Sequence, residues 1–245
     1  SFHSDKDEEL FDIIISNPPY FKISKDDPRA HAAARVVYGQ PNIYALFMAI
    51  SARLLKIQGE LIFITPRSYA SGPYFRSFRE FFFSEMIPLR FHLFESRTEA
   101  FDRDAVLQEN IILHARRNGK MHDDAKIIIS ISNGSRDLKK PKQRKLPLKR
   151  VIDLSSINKV VFLPTTENDD RILSIVDSWK GSLHTYEMEI SPGKVVPFRA
   201  TEYLSSSGDL SNGEAPRIWM NSIRNFDVVW PFDRKSKPQY IRISD

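Results

Sequence analysis

A chain of 245 residues, 41% hydrophobic and 27% charged, has the composition of one large or two medium globular domains. Without cysteine it holds no disulfide, thiolate nucleophile or cysteine-bound zinc, which fits a reducing, cytoplasmic setting, and no apolar run approaches the roughly eighteen residues of a membrane span. The net charge of +5 tilts the chain toward a polyanionic partner.

Residues 1–9 are a polar, acidic lead-in. Phe11 and Ile13 to Ile15 then read as a short buried strand of the kind found in parallel sheets, stopped abruptly by Asn17-Pro18-Pro19-Tyr20-Phe21. The motif sits at a strand's carboxyl end, where open α/β sheets handle ligands. Each proline fixes its own φ and extends the residue before it, so the carbonyls of Asn17 and Pro18 hold nearly fixed directions. A neutral asparagine offers one carbonyl oxygen and two donors, and with the Pro18 carbonyl it supplies two acceptors to one NH₂ group. Tyr20 adds a flat face for a ring, so the group that fits is an aromatic amine. The plainer alternative is a strand-ending turn that Asn17 merely caps.

Asn17-Pro18-Pro19-Tyr20-Phe21 after such a strand resembles the catalytic motif of the amino-group DNA methyltransferases, in particular the adenine-N6 enzymes of type II restriction–modification systems. The resemblance implies methyl transfer from S-adenosylmethionine to an adenine flipped out of duplex DNA. It implies that Asn17 and the Pro18 carbonyl, on a turn stiffened by Pro19, bind the adenine amino group, and that Tyr20 stacks on the base with Phe21 beside it. The family builds its cofactor site from an earlier glycine-rich strand-to-helix turn, and no Gly-x-Gly occurs in this sequence. The chain is therefore expected to begin midway through its catalytic domain and to bind S-adenosylmethionine poorly or not at all.

Residues 23–40 read as a loop with one short helical turn. After Pro41, the apolar residues Ile43, Phe47, Ile50, Leu54 and Ile57 recur at helical spacing, which predicts a helix over 41–57 with those five in the core. Gly59 is expected to end it, and Glu60 to Thr65 to form a second buried strand closed by Pro66. Another helix runs through Phe75, Phe78, Phe81 and Phe82, with Arg76 and Arg79 on a solvated face. Strands follow over 87–94 and 107–115. The charged loop between them holds Phe101, which the resemblance places on the far face of the flipped base, a stack of about 1–3 kcal/mol. Burial of Phe101 beneath its own loop is the alternative.

Residues 126–131 form a further strand, and 139–150 then pack seven basic residues into twelve. Pro141 and Pro147 exclude a regular helix there, so Lys139, Lys140, Lys142, Arg144 and Lys145 read as a solvated linker that also contacts DNA phosphates. The expected division is a catalytic half over 1–120, a basic linker over 121–150 and a DNA target-recognition domain over 151–245. That last part contains an amphipathic helix over 169–179, and its 186–199 region and Trp230-Pro231-Phe232 with Lys237-Pro238 loosely resemble the family's recognition domain. Lys194, Arg199, Arg217, Arg224 and Lys237 are candidate DNA contacts.

The six histidines show no metal-ligand spacing, and there is no phosphate-binding loop, nucleophile elbow or nuclease motif. The fold class expected is α/β: the C-terminal half of a Rossmann-like S-adenosylmethionine-dependent methyltransferase sheet, joined to a mixed α+β recognition domain. The expected partner is double-stranded DNA, with no metal and no membrane. Two rivals stand beside this reading. Asn-Pro-Pro-Tyr also serves methyltransferases of RNA bases and of a protein glutamine amide, and a DNA-recognition module without activity would share the basic second half.

Overall fold

A computed structural model describes residues 10–33, 36, 41–95, 109–117, 125–134, 137–191, 193, 195–206, 208, 211, 213–232 and 237–243. The chain divides into two units, Ser1–Ser178 and Trp179–Asp245. The first is built on a six-stranded sheet of β1 (Phe11–Ser16), β2 (Leu55–Pro66), β3 (Met86–Phe94), β4 (Asn110–Arg117), β5 (Lys126–Ser132) and β6 (Lys142–Pro147). Their spatial order is β1-β2-β4-β3-β5-β6. The β1–β2 and β3–β5 pairs are parallel and the other three antiparallel. Helices α1 (Pro28–Ala32), α2 (Ile43–Leu54), α3 (Arg76–Glu85), α4 (Leu148–Val151) and α5 (Glu167–Asp177) complete the unit, so the α/β class is as expected. This topology gathers the ends of β1, β2, β3 and β5 and the start of β4 on one rim of the sheet.

The core lies where α2 and α3 meet the sheet. Along β2 the residues Leu61, Phe63 and Thr65 are buried while Glu60, Ile62 and Ile64 are half-buried, the alternation of a strand with unequal faces. Above them sit Tyr44, Met48, Ala49 and Ala52 of α2, and Phe78, Phe82 and Phe83 of α3.

Four expectations change. First, β1 is a strand and pairs in parallel, but it is not buried: Phe11, Ile13 and Ile15 are 45%, 59% and 71% exposed. Among the described residues it pairs with β2 alone, which leaves its outer edge open, and of its isoleucines Ile14 packs on the core. Second, α2 is apolar on two sides. Ile43 is buried, but Phe47, Ile50 and Ile57 are exposed, because the helix turns its side of Tyr44 and small residues inward. That helix also stops at Leu54, with no gap before β2. Gly59 lies inside β2 and serves close approach: a Cβ there would meet the carbonyl oxygens of Lys56 at 2.8 Å and Asp12 at 3.1 Å.

Third, Arg79 is not on a solvated face. It is 1% exposed, and its guanidinium donates to the carbonyls of Asn158 (2.7 Å), Tyr69 (3.0 Å) and Gly72 (2.8 Å). Fourth, the described part of 121–150 is not a linker. Its lysine-rich part forms β6, an antiparallel partner of β5, with Pro141 just before the strand and Pro147 at its last residue, positions where a missing N–H is tolerated on an outer strand. Helix α5 follows, started by a capping box between Thr166 and Asp169, with Ile172, Ile175 and Val176 exposed.

The second unit, among its described residues, consists of short strands and 3-10 turns. Strands β7 (Leu204–Ser205), β8 (Glu214–Pro216) and β11 (Tyr240–Arg242) form an antiparallel sheet in the order β7-β11-β8, and β9 (Ile223–Arg224) pairs with β10 (Asp227–Val228). Trp219 anchors the unit, with its indole N–H on the Pro238 carbonyl at 2.7 Å. Arg217 and Lys237 lie 3.7 Å and 4.8 Å from its ring.

Candidate active site

Asn17, Pro18, Pro19 and Tyr20 leave the end of β1 at the rim. Pro18 is buried and Asn17 exposed, so the stiff turn is rooted in the protein while its carboxamide faces outward. The Tyr20 hydroxyl lies 2.6 Å from Asn17 Oδ1 and 2.9 Å from the Ile64 carbonyl oxygen on β2. A phenol has one hydrogen, so it donates to one of these at a time. Burial pushes the Tyr20 pKa up to about 12, so the group remains a neutral donor near pH 7. The ring meets Tyr44 edge-on, with centroids 6.3 Å apart and planes at 89°.

The chain after the motif is pinned to the start of α2. The Phe21 carbonyl accepts from the Ile43 N–H, Ile23 N–H donates to Pro41, and Lys22 bridges to Asn42. Phe21 itself is about half exposed, beside the motif. The arrangement offers an exposed carboxamide on a proline-fixed backbone and an adjacent aromatic, with no carboxylate, imidazole or amine within the motif. It suits the positioning of a neutral NH₂ group.

The remaining candidates separate. Phe101 and Lys194 lie outside the described residues. Lys139, Lys140, Lys142 and Lys145 are exposed, as is Arg199, whose guanidinium sits 5.5 Å from the Phe198 ring. Arg144 is a correction: half-buried, it donates to the Pro164 and Thr166 carbonyls and pairs with Asp170, so it pins β6 to the start of α5. Arg150 acts alike through Asp177, Ser174 and the Asp170 carbonyl. Arg217 and Lys237 are committed to Trp219, while Arg224 is exposed with its guanidinium 5.2 Å from the Phe232 ring.

Tyr44 and the Ile64 carbonyl are the site partners that sequence reasoning missed. A tyrosine on the inner side of an apolar helix was the available signal, because its hydroxyl needs a partner when buried.

The same rim carries a cavity of about 330 Å³ lined by Arg67, Phe94, Glu95, Glu109, Asn110 and Asp169, among others. Three carboxylates against one guanidinium make it unsuitable for a phosphate. For S-adenosylmethionine the chain supplies no glycine-rich strand-to-helix turn. Among the described residues no group of His, Cys, Asp and Glu could hold a metal ion, and no helix is long and apolar enough to cross a membrane.

The Asn17–Tyr20 turn thus closes an outer parallel strand of an α/β sheet. Residues 1–101 match the family described as Eco57I restriction-modification methylase. Over 96% of its length the chain is 30% identical to the type II methyltransferase M.PstI of Providencia stuartii, covering 45% of that protein. It is 31% identical over 97% of its length to M.BsuBI of Bacillus subtilis, covering 46% of it. The chain thus spans about half the length of these relatives. Among solved structures, the type IIG restriction endonuclease BpuSI is 19% identical with a TM-score of 0.45, over 61% of this chain and 20% of that one.

Proposed function

We propose that the chain carries the acceptor and DNA-contacting part of a site-specific DNA adenine-N6 methyltransferase of a restriction–modification system. The observation that carries this reading is the Asn17–Tyr20 turn: an outward carboxamide on a proline-fixed backbone, with a neutral tyrosine held beside it by the Ile64 carbonyl. In this reading Asn17 Oδ1 and the Pro18 carbonyl accept the two N–H groups of an extruded adenine, drawing the nitrogen lone pair out of conjugation with the ring. Tyr20 and Phe101 clamp the base, and Phe21 borders it. S-adenosylmethionine supplies the methyl group, and the amine loses its proton to solvent. Fixed dipoles and positioning lower the barrier without a dedicated base.

Lys139, Lys140, Lys142 and Lys145 are the phosphate contacts of this reading, with Lys194 and Arg199 contributing from the second unit. That basic set favours a nucleic acid over a protein glutamine as acceptor.

The test uses the polypeptide at its relatives' full length, labelled S-adenosylmethionine, and duplex DNA, RNA and protein as acceptors. Label is expected in DNA adenine, with Asn17→Ala lowering kcat about 100-fold or more, the scale of losing a fixed polar group at a reacting centre. Label in RNA or protein would move the acceptor. Cofactor and DNA binding without transfer would favour a recognition module.

A further inference from the structure

The tyrosine of the acceptor turn rests on a ladder of rings. Tyr44, 1% exposed, meets Tyr20 edge-on and stacks on Phe75 at 5.8 Å and 27°. Phe75 meets Phe78 at 6.4 Å and 79°, and Phe78 stacks on Phe82 at 5.3 Å. The Tyr44 hydroxyl is fixed too, at 2.8 Å from Ser68 Oγ. Arg79 holds the base of the ladder through the Tyr69 and Gly72 carbonyls, which bracket the chain leading to Phe75.

We propose that Tyr44 is a positioning residue for Tyr20 and, through it, for Asn17; the proposal rests on reading Asn17–Tyr20 as the acceptor site. Two restraints fix the Tyr20 ring. The Ile64 carbonyl anchors its hydroxyl, and the Tyr44 ring sets its tilt and blocks rotation toward the core. A smaller, non-aromatic side chain at position 44 opens an apolar void beside a half-buried ring, and the gain from filling it draws Tyr20 inward. The phenol then leaves the Ile64 carbonyl, and Asn17 loses the neighbour that orients its carboxamide. Phosphate contacts dominate DNA affinity, so this displacement acts on the chemical step and leaves duplex binding in place.

The experiment compares Tyr44→Leu, Tyr44→Met, Tyr44→Phe and Ser68→Ala in the full-length polypeptide, by methyl-transfer kinetics and by crystal structure. Tyr44→Leu is expected to lower kcat about tenfold or more with KM for duplex DNA within about twofold, while Tyr44→Phe and Ser68→Ala stay within about threefold of the parent. In the Leu variant the Tyr20 hydroxyl should leave the Ile64 carbonyl; in the Phe variant it should stay. Tyr44→Met, closer to tyrosine in volume, carries the same expectation where the Leu variant does not fold. A Leu or Met variant with parental kcat and an unmoved Tyr20 overturns the proposal, as does an equal loss in Tyr44→Phe. Should the parent transfer no methyl group to DNA, the functional reading fails, and the position of Tyr20 in the variants still decides the role of Tyr44.

Discussion

A guanidinium sealed inside an apolar core must find acceptors for its N–H groups, and among the described residues Arg79 finds three carbonyls and no carboxylate. Burial lowers its pKa, the direction expected of a cation held without a counter-charge. Arg79→Met removes donors from three carbonyls at once and should cost about 2–4 kcal/mol, read as a lower urea midpoint at unchanged m-value. His92 poses the opposite problem. It is buried between Ser130 Oγ at Nδ1 and Ser132 Oγ at Nε2, both at 3.0 Å, and burial, then the nearby Arg90 charge, lower its pKa while Asp137 opposes them. The unfolded chain therefore takes up this proton more readily than the folded one. Its contribution is complete above the ordinary imidazole value of 6.5 and is lost as pH falls from there through the depressed folded value. Denaturation midpoints between pH 7 and 5 should fall more steeply in the parent than in His92→Gln. The stiff turn that closes β1 was legible residue by residue because prolines state their geometry locally. Arg79 was not, since its neighbours come from distant parts of the chain.

The basic segment shows how an element redistributes residues that the sequence treats alike. In strand β6, side chains alternate between faces, so Arg144 turns toward Asp170 while Lys145 remains in solvent. Lys142→Ala and Lys145→Ala are each expected to lower the slope of log affinity against log salt by about 0.9 with little change in stability, whereas Arg144→Ala should lower the melting temperature. Filter binding at several salt concentrations, paired with thermal unfolding, separates the two classes. Proline content argued correctly against a helix as far as Pro147, after which the short α4 begins, but a run of lysines carries no sign that Ile127 to Ile131 will pair with it. Helix α2 misled in another way. Its stripe of Ile43, Phe47, Ile50 and Leu54 is real, but a second inner side built from Tyr44, Met48, Ala49 and Ala52 competes with it and wins. Periodicity identifies the helix and is silent on which of two apolar sides faces inward.

At the scale of the whole molecule, the division falls after Ser178, beyond both β6 and α5, and not within the basic run. Composition shifted near residue 120, yet the sheet continues through it, because strand pairing is set by partners far away in sequence. The six-stranded sheet also has two dissimilar margins. Along β6 the lysines Lys142 and Lys145 repel a like strand and guard the row of backbone groups beside them. Along β1 the one charge, Asp12, is paired with Lys56 of β2, and among the described residues the apolar Phe11, Ile13 and Ile15 project from the outer strand. One margin is closed to growth and the other receptive, so the sheet is a one-sided template. Extended apolar segments, including β1 of another copy, will add there in preference to any other border of the sheet, and at high concentration that side will decide how the isolated chain self-associates.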